Sequence, residues 1–156
     1  MIELFLTVCL CVQEPAVPVQ PLQFSVTHDG AAGESIDGRL YIMLTKGKVP
    51  PIGGPNWMRA EPFFALDVED WNADIPLVLD DNADAMAPMS TLEDATWKAV
   101  AVFRKDNDQS RLAVHGGLYG EAVTFEGSGT DAGTVTMTVN TLVPDRDWKP
   151  HKNLRL

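Results

Sequence analysis

The chain has 156 residues, of which 45% are hydrophobic, and this is enough for one hydrophobic core in one domain. A formal net charge of −10 argues against a nucleic-acid partner, because phosphate binding needs clustered lysine and arginine. The 12 glycines and 11 prolines favour short strands joined by turns, because both residues interrupt helices.

Residues 1–21 predict an export signal followed by a proline-rich linker. An apolar run covers residues 2–12, and a segment with three prolines follows it in residues 14–21. This order is typical of secretion, although no basic residue precedes the apolar run. A truncated start and a buried first strand are the alternatives. We therefore expect a secreted or periplasmic protein without a membrane span, because the run is too short to cross a bilayer as a helix.

Both cysteines of the chain lie inside this apolar run. Cleavage after the run would remove Cys9 and Cys11 and leave a domain with no thiol. We therefore expect neither a disulfide framework nor a copper–thiolate site. Attachment of a lipid to either cysteine is disfavoured, because Val8 and Leu10 are larger than the small residue that such a site needs.

From Leu22 onward, apolar residues recur at every second position in short segments that are separated by turn residues. This pattern predicts an all-β domain over residues 22–156, an antiparallel immunoglobulin-like β-sandwich of about seven strands. The run Arg39–Leu44 is almost continuously apolar, which indicates a strand that is covered on both faces or lies in the centre of the sandwich. The predicted strands are residues 22–26, 39–44, 63–68, 75–79, 97–103, 120–125 and 134–139.

Two stretches between these strands are predicted to be irregular. Residues 46–61 contain three prolines and predict a long loop. Residues 85–95 are ambiguous, with one helical turn near residues 90–93 as an option.

The sequence offers no recognisable catalytic, metal or cofactor site. No G-x-S-x-G turn is present, and Ser128 between Gly127 and Gly129 is interpreted as part of a flexible hairpin loop. His28, His115 and His151 lie in predicted loops and are interpreted as surface histidines.

Acidic side chains cluster in residues 67–74 and 80–84. They are interpreted as solvated turn residues, with loop-bound calcium as the alternative. Neither cluster matches a calcium-loop template, and no catalytic residue, cofactor or metal ligand is predicted.

Four aromatic residues are concentrated within fifteen positions: Trp57, Phe63, Phe64 and Trp71. Three interpretations stay open for them. Their rings cap the sandwich core, they form a face that docks on a neighbouring domain, or they form a platform on which sugars stack. We take the four residues as candidate docking residues.

Five short motifs resemble the immunoglobulin-like domain that precedes the catalytic domain in bacterial esterases of the α/β-hydrolase class. They are DGRLYIML at residues 37–44, GPNW at 54–57, PFFALDV at 62–68, WKAVAVF at 97–103 and GLYG at 117–120. The resemblance extends over residues 22–156, and it departs at residues 93–95, where Glu-Asp-Ala replaces a proline–glycine turn.

The resemblance implies a non-catalytic accessory module that packs on or shades a hydrolase domain, in cis or as a separate chain. It also implies that the hydrolase domain would begin after Leu156, so that no catalytic residue of the family is carried over. The alternative is a free-standing exported binding module that binds polysaccharide through Trp57 and Trp71. The oligomeric state is not predicted.

Overall fold

The computed structural model describes residues 19–49, 61–105 and 112–144. The predicted signal, with Cys9 and Cys11, therefore lies outside the described residues, and so do Trp57 and His151. The described part contains ten strands and a single-turn 3₁₀ helix, Met89–Thr91. The strands are β1 (Gln23–His28), β2 (Ser35–Thr45), β3 (Phe63–Asn72), β4 (Leu77–Leu79), β5 (Asp84–Ala85), β6 (Ala95–Arg104), β7 (Leu118–Tyr119), β8 (Val123–Gly127), β9 (Thr134–Val139) and β10 (Thr141–Leu142).

These strands form a small sheet and a large sheet, which confirms the predicted all-β sandwich. The small sheet has the order β4-β1-β9, and the large sheet has the order β10-β7-β6-β2-β3-β5, with β8 paired to the first half of β6. All strand pairs are antiparallel except β1 with β9, which is parallel. The sequence pattern missed β5, β7 and β10, because two residues are too few to show an alternation.

The core lies between the two sheets and follows the alternation seen in the sequence. Phe24 and Val26 of β1 are fully buried and face the large sheet, where Ile42 and Phe103 are also fully buried. Phe24 is central, with its ring centroid 6.4 Å from that of Phe64 and 5.8 Å from that of Phe125. Burying a side chain of this size contributes about 1.5–3 kcal/mol.

The large sheet carries a second apolar cluster on the face that points away from the small sheet. Met43, Val100 and Val102 are buried there, and Phe63 and Tyr119 pack against them. Every residue of β2 from Leu40 to Thr45 is buried, which confirms the prediction of a strand covered on both faces.

The connection from β8 to β9 corrects the predicted hairpin at Ser128. It carries the chain from the large sheet to the small sheet, so the two strands do not pair. The turn is held by Asp131, whose Oδ1 accepts hydrogen bonds from the Ser128 amide and hydroxyl, both at 2.7 Å. These hydrogen bonds lower the pKa of Asp131, the contribution of the Ser128 hydroxyl being the largest.

His28 is also placed differently from the prediction, since it ends β1 and is completely buried. Its Nε2 lies 3.0 Å from the carbonyl oxygen of Trp71, and the Gly30 amide donates to its Nδ1 at 3.2 Å. A histidine can be buried at low cost when both ring nitrogens have partners, and the surface interpretation was therefore wrong. His115 is exposed, as predicted.

Candidate docking site

The structure places Phe63 and Phe64 at the start of β3, where they point to opposite faces of the large sheet. Phe64 pairs with Ile42 in register and is 1% exposed in the sandwich core. Phe63 pairs with Met43 and is half-buried in the cluster on the other face. Of these two candidate residues, Phe63 alone retains a surface that a partner can reach.

Trp71 lies in the core with 2% of its surface exposed. Its indole N–H donates to the carbonyl oxygen of Ile75 at 2.7 Å, and its ring packs edge-on against Phe103 with centroids 5.8 Å apart. An exposed sugar-stacking or docking role for Trp71 is therefore wrong. For Phe64 and Trp71, the interpretation as core residues holds.

A β-bulge explains why Trp71 turns inward. Ile36 pairs with Trp71, and Gly38 pairs with Val68. Between these two pairs, β3 contains two residues and β2 contains one. The backbone accommodates the extra residue at Asp70, which has a φ of 49°. The Asp70 amide donates to Asp37 Oδ1 at 2.7 Å. Because side chains alternate along a strand, one extra residue transfers all later side chains to the other face.

An apolar groove of about 320 Å³ opens beside Phe63, at the end of the sandwich where β3 begins. One wall comes from the start of β3, and the other comes from the segment that follows β5, including Met86 and Pro88. Leu92 and Trp97 lie deeper in the groove and are buried. The Met86 side chain is 81% exposed, the highest value among the large apolar residues that the structure describes.

The wall that carries Met86 is tied to the core on its far side. Met89 is 1% exposed and anchors the 3₁₀ helix in the core, and the Leu92 amide donates to its carbonyl oxygen at 3.1 Å. The Gly129 amide in turn donates to the Leu92 carbonyl oxygen at 3.0 Å. The backbone of this wall is thus tied to the turn before β9 through residues 89–92.

Charged residues form the rim of the groove. Lys46 makes an ion pair with Glu93 and lies over the Trp97 ring, with its Nζ 4.9 Å from the ring centroid. The Thr45 hydroxyl donates to Glu61 Oε1 at 2.7 Å, which holds that carboxylate at the mouth of the groove. An apolar floor with a charged rim is the usual composition of a protein–protein contact.

The sequence analysis missed Met86 and Pro88. The available signal was a large apolar residue, Met86, directly after the acidic turn of residues 80–84. That signal is weak, because singly exposed apolar residues are common on protein surfaces.

A second cleft, of about 530 Å³, lies between residues 20–23, Asp80, Asp81 and Ser90. Asp81 accepts hydrogen bonds from the amide and the hydroxyl of Ser90, at 2.8 and 2.9 Å. The bond from the Ser90 amide is the main cause that lowers the pKa of Asp81. Among the described residues, no three His, Cys, Asp or Glu side chains group as metal ligands.

In the part of the chain that the structure covers, no helix is long and apolar enough to cross a membrane. Comparison of the chain with protein-family models, with curated proteins and with solved structures gives no match.

Proposed function

We propose that the chain is a non-catalytic, immunoglobulin-like accessory module of the secreted or periplasmic space. It packs on an α/β-hydrolase catalytic domain, in cis or as a separate chain, as the motif resemblance implies. The groove between Phe63 and Met86 is its docking site. The single observation that carries this proposal is the 81% exposure of Met86 at the wall of an apolar groove.

The energetics of Met86 support docking at this place. Covering a methionine side chain contributes about 1.5–3 kcal/mol, which an exposed Met86 does not gain in the chain alone. The buried Met89 holds one end of the wall, which lowers the cost of ordering it when a partner binds. A few large side chains of this kind, buried on binding, dominate the binding energy of many interfaces.

The alternative function, carbohydrate binding, requires exposed aromatic rings on which sugars stack. The tryptophans that the structure describes are Trp71 and Trp97, and they are 2% and 4% exposed. Of the two tryptophans named for this alternative, Trp71 is thus buried and Trp57 lies outside the described residues, and we favour the docking function.

The test uses the full chain and the α/β-hydrolase encoded in the same reading frame or in a neighbouring gene. Calorimetry measures binding of the wild type, of Met86→Asp and of the control Val78→Asp. Val78 is also an exposed apolar residue, at 49%, but it lies on β4 of the small sheet. We expect Met86→Asp to weaken binding at least about 10-fold and Val78→Asp to leave it unchanged.

A fluorophosphonate probe tests the non-catalytic part of the proposal. We expect it to label the hydrolase and to leave the chain unlabelled. Stoichiometric labelling of a serine in the chain would overturn the accessory function. Wild-type affinity of Met86→Asp would show that the groove is not the docking site, and the lack of any binding hydrolase would refute the proposal as a whole.

A further inference from the structure

The described residues that line the groove beside Phe63 include two charged ones, and both are acidic. Glu61 lies just before β3, and Glu93 follows the 3₁₀ helix. A carboxylate at the edge of an apolar surface loses hydration when a partner covers that surface. This loss is unfavourable unless a cation or hydrogen-bond donors replace the water. A partner that covers the groove must therefore satisfy any carboxylate that the chain itself leaves without a cation.

Glu93 already has a cation from its own chain. Lys46 forms an ion pair with it, and the same ammonium group lies over the Trp97 ring. The charge of Glu93 is thus compensated before any partner binds.

Glu61 differs, since the ion pairs among the described residues leave it without a cation. It is half-buried, and its Oε1 accepts the hydrogen bond from the hydroxyl of Thr45, which is 1% exposed. The Gly47 amide donates to that hydroxyl at 3.0 Å, so the hydroxyl hydrogen is directed to Glu61. The adjacent backbone is held as well, because the Leu44 amide donates to the Pro62 carbonyl oxygen at 2.9 Å. Glu61 is therefore a fixed carboxylate at the groove whose charge is not compensated.

We propose that the partner places an arginine on Glu61 and a large apolar side chain in the groove beside it. The apolar side chain contacts Phe63 and Met86, and the guanidinium completes the hydrogen bonding of the carboxylate. This inference rests on the docking function proposed above and adds to it the chemistry of the partner surface.

Arginine fits Glu61 better than lysine does. Among the described residues, no group donates to Glu61 Oε2, and Oε1 has a lone pair left beside the one that the Thr45 hydroxyl uses. A guanidinium can donate to both oxygens of one carboxylate at once. It is also more weakly hydrated than an ammonium group, so covering it at an apolar groove costs less.

The charge of the whole chain favours a basic partner surface in the same way. A net charge of −10 attracts a basic face and repels an acidic one. A second copy of the chain has the same negative charge, which disfavours it as the occupant of the groove.

The first test measures binding of the α/β-hydrolase named above to Glu61→Gln by calorimetry. Glutamine keeps an oxygen that accepts from Thr45 and removes only the charge. The matched control is Glu69→Gln, at an exposed carboxylate on the same strand, six residues or about 20 Å beyond Phe63. Both variants lose one negative charge, so the long-range attraction is equal in the two. We expect Glu61→Gln to bind at least about 10-fold more weakly than Glu69→Gln.

The second test substitutes the partner and leaves the chain as wild type. Each surface arginine of the hydrolase is replaced with methionine in turn. We expect one of these substitutions to weaken binding at least about 10-fold, and to add little further loss when the chain carries Glu61→Gln. A hydrolase in which no arginine behaves in this way would overturn the inference, even if Glu61→Gln folds badly.

The outcomes separate this inference from the docking function on which it rests. Equal binding of Glu61→Gln and Glu69→Gln, together with weaker binding of Met86→Asp, would refute the arginine on Glu61 and leave the docking function standing. A wild-type chain that binds no hydrolase would refute both.

Discussion

His28 Nε2 lies 3.0 Å from the carbonyl oxygen of Trp71, and the two rings meet edge to face with centroids 4.7 Å apart. Because the Gly30 amide donates to Nδ1, the hydrogen of the neutral ring is on Nε2, which donates to Trp71. The contact links the end of β1 in the small sheet to β3 in the large sheet. His28 is therefore a polar link between the sheets inside the core.

Replacing His28 with leucine should destabilise the fold. Leucine is apolar and leaves the Trp71 carbonyl and the Gly30 amide without their partner, which costs about 1–3 kcal/mol. Urea unfolding of the full chain measures this loss. The control His115→Leu, at an exposed site, should change the free energy of unfolding by less than about 0.5 kcal/mol. Equal unfolding midpoints for the two variants would contradict the assigned role of His28.

Gly129→Ala should disrupt the link between the 3₁₀ helix and the turn before β9. A Cβ atom at Gly129 would overlap the carbonyl oxygen of Met89, and backbone cannot move aside as a side chain can. We expect a loss of about 1–3 kcal/mol in the free energy of unfolding. Gly47→Ala is the matched control, because its Cβ would meet only the Thr45 hydroxyl at 3.7 Å. A thermal melt that ranks the two variants equally would argue against this packing.

Asp81 should make the stability of the fold depend on pH in the acid range. Its pKa in the folded chain is lowered from the ordinary value of 3.8, chiefly by the Ser90 amide. A lowered pKa means that Asp81 stabilises the fold above that ordinary value, and that this contribution disappears as pH falls through the folded pKa.

Asp81→Asn should therefore have a lower free energy of unfolding than the wild type at pH 7. At about pH 2, the difference between the variant and the wild type should be smaller. Urea unfolding at both values checks this convergence. Ser90→Ala removes the hydroxyl donor alone and should reproduce part of the effect. A difference between Asp81→Asn and wild type that is the same at both pH values would refute the coupling.

Arg39 connects three strands of the large sheet. Its guanidinium contacts Asp67 Oδ1 of β3 at 2.6 Å and Asp84 Oδ2 of β5 at 2.5 Å. Burial lowers the pKa of Arg39, but hydrogen bonds to both carboxylates outweigh it and raise the pKa above its ordinary value. The two carboxylates are largely solvent-exposed, so their net contribution to stability is small.

Arg39→Met should therefore lower the free energy of unfolding by about 1 kcal/mol or less. It should nevertheless speed hydrogen exchange of the β5 amides, because β5 pairs with β3 through two residues only. Arg39→Lys, which can reach one carboxylate at a time, should give an intermediate rate. Unchanged exchange in Arg39→Met would show that β5 does not need the ion pairs.

Much of the fold was predictable because the sandwich is built from strands with one buried face. Phe24 and Val26 alternate with polar neighbours, and β9 alternates threonines with Val and Met in the same way. Met86 was not predictable as a site residue, since its exposure depends on where β5 and the 3₁₀ helix place the segment between them.

By itself, the sequence determined the all-β class, most of the longer strands and the burial of β2 on both faces, because side-chain alternation is a local property of a strand. Tertiary structure alone decided the position of Trp71, since the bulge at Asp70 shifts the alternation by one residue. It also decided the burial of His28 and the place of β9 at one edge of the small sheet among the described residues. Both depend on which strands become neighbours, and strand pairing joins residues that are distant in the chain.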